Sequence, residues 1–169
     1  MTTAELIGAM LTRDLRALQR EIAAYGAEAD LWRLTPSIPN SAGTLALHVA
    51  GNIRYYVGAV LGGSGYVRDR SAEFTDREVP RAELQRRLDA AIADVGATLS
   101  RLTDAQMAET YPETVAGNHV ATADWLIHLA VHLTYHLGQI DYHRRFLTGD
   151  ATSIGAVSAA DLRSATPAA

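Results

Sequence analysis

The stretch His128-Leu129-Ala130-Val131-His132-Leu133-Thr134-Tyr135-His136-Leu137-Gly138-Gln139 decides how this chain is read. It sets three imidazoles at four-residue intervals, within a span from Trp125 to Ile140 that holds no Asp, Glu, Lys or Arg. Four residues advance a helix by about 400°, so the rings form one stripe drifting by about 40° per step. A helix so poor in charge is expected to be buried on most sides. Buried rings need partners, and neutral imidazole is the commonest protein ligand for a transition metal. The first expectation is a metal site.

Around these rings the apolar line Leu126, Leu129, Leu133, Leu137 and Ile140 fits a helix that starts at Thr122 as N-cap, with Asp124 in its first turn. Gly149 is its expected end. Three earlier segments share the helical period. Ile7, Leu11, Leu15, Leu18, Ile22 and Tyr25 make a bundle-type seam. Leu45, Val49, Ile53, Val57 and Val60 follow Asn40 or Ser41 as N-cap and stop at Gly62-Gly63-Ser64-Gly65. Leu84, Leu88, Ile92, Val95, Leu99 and Leu102 follow Pro80, a plausible first-turn proline. No strand pattern and no repeat emerges. The expectation is an all-α four-helix bundle over residues 1–150, with a loosely ordered tail over 151–169 that carries a short turn at 158–163. The linkers 26–40, 64–79 and 103–121 are long for a bundle, so each is either partly structured or lies across a bundle end.

Composition narrows the function. All 15 basic residues are Arg, which removes Schiff-base and P-loop lysine chemistry. With no Cys there is no disulfide, thiolate zinc site or cysteine nucleophile. A net charge of −4 gives no reason to expect nucleic acid. The charge-free run is too short for a membrane span, and Glu5, Arg13, Asp14 and Arg16 break any signal-peptide core. A soluble cytoplasmic protein is expected, with a small-molecule partner and a homodimer as one way to cover apolar helical surface.

Two imidazoles one turn apart suit one metal ion, and either His128 with His132 or His132 with His136 meets that spacing. All three on one straight helix do not, because His128 and His136 lie about 12 Å apart along the axis. Two histidines make an unselective site, so a third ligand is needed. His48, flanked by aliphatic residues, is the other helical histidine; alone it would read as a satisfied core residue. Asn52 and Tyr55 share its face and are candidate substrate contacts, although Tyr55 packing between helices is an equal reading. Gln139 either holds the second ring nitrogen of a ligand or bridges two helices. Gly138 costs the helix about 1 kcal/mol relative to Ala, so a close approach to its backbone is expected. Tyr135 is expected to pack, His143 to face solvent near the helix end, and His119 to lie in a loop. No carboxylate shares the histidine stripe within a turn of His132 or His136, which leaves activation of a water or thiol to the metal.

The words Pro39-Asn40-Ser41, Leu47-His48-Val49-Ala50-Gly51-Asn52 and His132-Leu133-Thr134-Tyr135-His136-Leu137-Gly138-Gln139-Ile140 resemble the DinB-like (DinB/YfiT) superfamily of metalloenzymes over roughly residues 5–147. The resemblance implies a four-helix bundle holding a divalent ion, often nickel or zinc, on a histidine triad, here His48, His132 and His136. It favours the later helical pair and leaves His128 as a neighbour of the ligands. The family includes thiol S-transferases that use low-molecular-weight thiols such as mycothiol or bacillithiol, and members without known activity. The expected function is therefore metal-dependent activation of a thiol or water, as a thiol S-transferase or hydrolase. The alternative is a non-catalytic metal-binding or helical interaction protein. The all-Arg, Ala-rich composition is that of a GC-rich bacterial genome.

Overall fold

The structure, a computed structural model, describes residues 2–167. Met1 and the end of the expected tail, Ala168 and Ala169, lie outside the described residues. Helices α1 (Thr3–Ala24), α2 (Ala42–Ile53), α3 (Arg70–Thr75), α4 (Arg81–Leu99), α5 (Asp104–Ala108) and α6 (Thr122–Thr148) follow in order. Single 3₁₀ turns lie at Glu28–Leu31 and Ala159–Asp161. The chain is all-α, as its periodicity requires.

Side chains satisfy the first free N–H groups of α1, α2 and α4, and α6 starts without a capping side chain. Thr2 and Glu5 form a capping box on α1. Ser41 Oγ accepts from Thr44 N on α2. Pro80 serves α4 as N-cap rather than as its first turn, and Glu28 accepts from the exposed Arg81 N–H. Thr122 is likewise the first helical residue of α6, with Ala121 as its cap. Gly149 ends α6 in the left-handed region at φ 69°, which glycine adopts without a Cβ penalty.

The bundle ring runs α1–α4–α2–α6, each packed on the next. Asp14 meets Thr134 and Glu21 meets Arg144, so α1 and α6 run parallel. Arg54 meets Asp94 on α4, and Gly62 lies against Thr98, so α2 and α4 are parallel as well. Parallel neighbours need a connection that travels back along the bundle. Residues 62–80 make that return, and α3 lies within it against α2. This explains the length of the second linker.

All twelve residues of α2 are buried, as are the expected apolar lines of α1 and α6. Past Ile53 the same helix widens to π winding over Arg54–Leu61, with Gly62 N donating to Val57 O at 3.0 Å. That extra residue per turn rotates Val60, expected on the core face, to a half-buried position. One expectation for α6 fails. Its core face is buried, but its outer face carries exposed Ile127, Val131, Tyr135, Tyr142 and Phe146. The charge-free run marks two apolar faces rather than one buried helix, and Tyr135, expected to pack, is mostly exposed, with its ring edge to face on the neighbouring His136. Gly138 also meets nothing: a Cβ there would have open space. No described helix is long and apolar enough to cross a membrane.

Candidate metal centre

Antiparallel packing of α2 and α6 sets the middle of one helix against the middle of the other. His48 and His132 thereby approach to 3.4 Å between Nε2 atoms, and His136 Nε2 lies 3.1 Å from His132 Nε2. One ligand atom from each of the three lies within 4.8 Å of the others. Nitrogens bound to one tetrahedral ion at about 2.0–2.1 Å stand about 3.3 Å apart, so these separations fit a shared centre. Three rings turned edge to face, at interplanar angles of 83–88°, aim their nitrogens inward rather than stacking.

Each outer ring of the cluster, His48 and His136, is held by its second nitrogen. His136 Nδ1 meets Gln139 Oε1 at 2.7 Å, one turn along α6. With an acceptor there, Nδ1 carries the proton and Nε2 keeps its lone pair. His48 Nδ1 meets Glu73 Oε2 at 3.0 Å, a carboxylate absent from the sequence reading. Glu73 comes from α3, and Arg68 grips both its oxygens, Nε to Oε1 at 2.6 Å and Nη2 to Oε2 at 2.8 Å. Burial opposes the charge on Glu73, but these Arg68 and His48 bonds hold its carboxyl below the usual range. Phe74 packs against the His48 ring at 4.9 Å. The local reason for this approach is Gly51, where a Cβ would overlap the Glu73 carboxylate.

Burial favours the uncharged form of His132 and His136. It brings His132 down to about 4, helped by His136, His48, His128 and Arg68, and it lowers His136 despite Gln139. Neutral imidazoles are what a metal needs.

Asn52, one turn beyond His48 on the same face, is buried, and its Oδ1 accepts no hydrogen bond. An orphaned acceptor at this position fits a donor on a molecule bound at the triad. Tyr55, in the π segment, neither packs wholly between helices nor sends its hydroxyl to solvent; the hydroxyl donates to Glu113 at 2.8 Å. His128 stays outside the triad, stacked on Trp125 at 4.9 Å and exposed. His143, expected at the surface, is buried between Tyr25 and Arg33. Its Nε2 donates to Arg33 O at 2.9 Å, its Nδ1 accepts from the Tyr25 hydroxyl at 2.7 Å, and burial lowers its pKa. His119 lies in an exposed loop.

A cavity of about 470 Å³ opens one turn from the triad, where Gln139 forms part of its wall with Ile38, Pro39, Leu45, Tyr142 and Phe146. That volume suits a small molecule.

These features define an all-helical bundle with a three-histidine site able to hold a metal ion. A family model of the DinB superfamily matches residues 10–140, and the chain belongs to that superfamily. No curated protein and no solved structure matches it.

Proposed function

We propose that this chain is a divalent-metal-dependent enzyme of the thiol S-transferase or hydrolase type, with nickel or zinc on His48, His132 and His136. The observation that carries the reading is the convergence of three imidazoles whose outer members have their second nitrogens already fixed. A divalent ion at such a site supplies a Lewis acid that lowers the pKa of a thiol or water and leaves positions open for substrate. Nitrogen donors of this kind suit nickel and zinc.

The remaining work falls to residues of the chain. Glu73 and Gln139 keep His48 and His136 in the tautomer that faces the centre. Asn52 Oδ1 accepts from the bound molecule, and the Tyr55–Glu113 pair borders the same helix face one turn further on. The apolar cavity beside Gln139 houses the non-reacting part of the substrate and excludes water from it.

The test has two stages. Untagged protein, purified without nickel resin, is analysed for bound metal, then screened against a panel of low-molecular-weight thiols with a leaving-group substrate. Activity that needs both thiol and metal and disappears in His48→Ala supports the transferase. A metal-loaded protein inactive toward every thiol and ester overturns it.

A further inference from the structure

The outer face of α6 is the least expected surface of this molecule. Ile127, Val131, Tyr135, Tyr142 and Phe146 are 49%, 63%, 64%, 77% and 73% exposed, at helical spacing along one line. Gly138 sits on that line between Tyr135 and Tyr142, exposed and with nothing within 4 Å of a Cβ built there. A solvent-facing helix surface is normally polar, and a contiguous apolar one marks a partner. A mid-helix glycine with no contact inside its own chain points to an approach from outside it.

We propose that this face binds a second copy of the chain, α6 against α6 in antiparallel sense, about a two-fold axis beside Tyr135. The stripe from Ile127 to Tyr142 is centred there, so the axis brings Ile127 against Tyr142 and Val131 against Gly138 of the other copy. Gly138 thus makes room for a branched side chain. The charges at the two ends agree: exposed Asp124 lies at the start of the line and Arg145, whose Nε also meets Asp141 at 2.9 Å within its own chain, at its close. Antiparallel pairing sets these unlike charges together, whereas a parallel pair would oppose like charges. The patch is large enough. Three aromatic rings of about 150–250 Å² each, mostly exposed, with Ile127 and Val131, offer about 600 Å² per copy. That gives about 1,200 Å² for the pair, the lower end of specific interfaces. An isologous contact of this kind closes on itself and leaves no growing end. Tyr142 and Phe146 also wall the cavity beside the triad, so pairing would cover the outer rim of that cavity.

Sedimentation of the untagged full chain from about 1 to 100 µM, a range that spans weak and tight pairs, tests this. A mass twice the 18.2 kDa of the chain is expected. Gly138→Gln and Val131→Asp should each raise the dimer dissociation constant about tenfold or more. Gly138→Gln enters open space at a position where glycine disfavours the helix, so at a concentration where both proteins are monomeric its melting temperature should not fall below that of the wild type, which separates lost pairing from lost folding. A wild-type monomer throughout the range, leaving the face to some other partner, overturns the proposal. So does a dimer that both variants form as tightly as the wild type.

Discussion

Gly51 and Glu73 compete for one volume: a methyl group on residue 51 would overlap the carboxylate that braces His48. Replacing a helical glycine by Ala ordinarily stabilises by about 1 kcal/mol. Gly51→Ala should do the reverse, because the buried Glu73–Arg68 pair must move. The expected outcome is a lower melting temperature and a 10–100-fold weaker metal affinity, on the scale of other lost outer partners of metal-binding histidines. Thermal melts and chelator competition measure the two effects separately.

Glu73→Gln keeps the shape and removes the charge. Arg68 is then buried beside a neutral amide, and the preference of His48 for presenting Nε2 weakens. Metal affinity should drop by about 10–100-fold while apo stability falls by about 1–3 kcal/mol. Unchanged affinity would show that Glu73 serves packing alone.

His132 sets a pH dependence. Its folded value, near 4, lies below the ordinary imidazole value of about 6.5. Above 6.5 both states are neutral and the group contributes nothing. Between 6.5 and 4 the unfolded chain takes up the proton and the folded chain does not, so apo stability falls with falling pH. Below 4 the loss is complete. After allowance for partial exposure it is on the order of 1–2 kcal/mol. Urea unfolding of wild type and His132→Asn at pH 7 and pH 4.5 should diverge, the wild type losing more.

The buried pair Glu21–Arg144 provides a control remote from the ligands. Both side chains are fully buried. Burial already pushes the Glu21 carboxyl up to about 7 against the pull of Arg144, so Arg144→Met leaves it to take up a proton in the core and should cost about 3–5 kcal/mol at neutral pH and above. Metal bound per folded chain should not change, as atomic emission on the folded fraction would show.

Sequence periodicity alone revealed the buried faces of α1, α2, α4 and α6, because a helix core repeats every three or four residues. The three-histidine cluster was legible only in part: spacing left His128 with His132 and His132 with His136 on an equal footing, and the resemblance to the family selected the later pair and added His48. Glu73 was not legible. It sits in a crossover whose path depends on the parallel packing of α2 and α4, and no local pattern encodes that packing. Its trace was Gly51 rather than Gly138. Gly43 lies under the Trp32 ring, Gly51 under Glu73 and Gly58 under Asp94, whereas Gly138 faces open space. A glycine records that something comes near without telling which side it comes from. His143 misled because proximity to a helix end resembles exposure until the 25–33 segment folds over it.

His48 and His132 stand 84 positions apart. Without His48 the unfinished or unfolded chain offers an ion only the closely spaced histidines of the α6 segment, and on the proposed function tight capture waits for the whole bundle to close. Occupancy becomes a readout of completed folding. By mass action an ion bound at this site at a hundredfold excess over its dissociation constant would add about 2.7 kcal/mol against unfolding, so on the proposed function starving the chain of metal should also shorten its life.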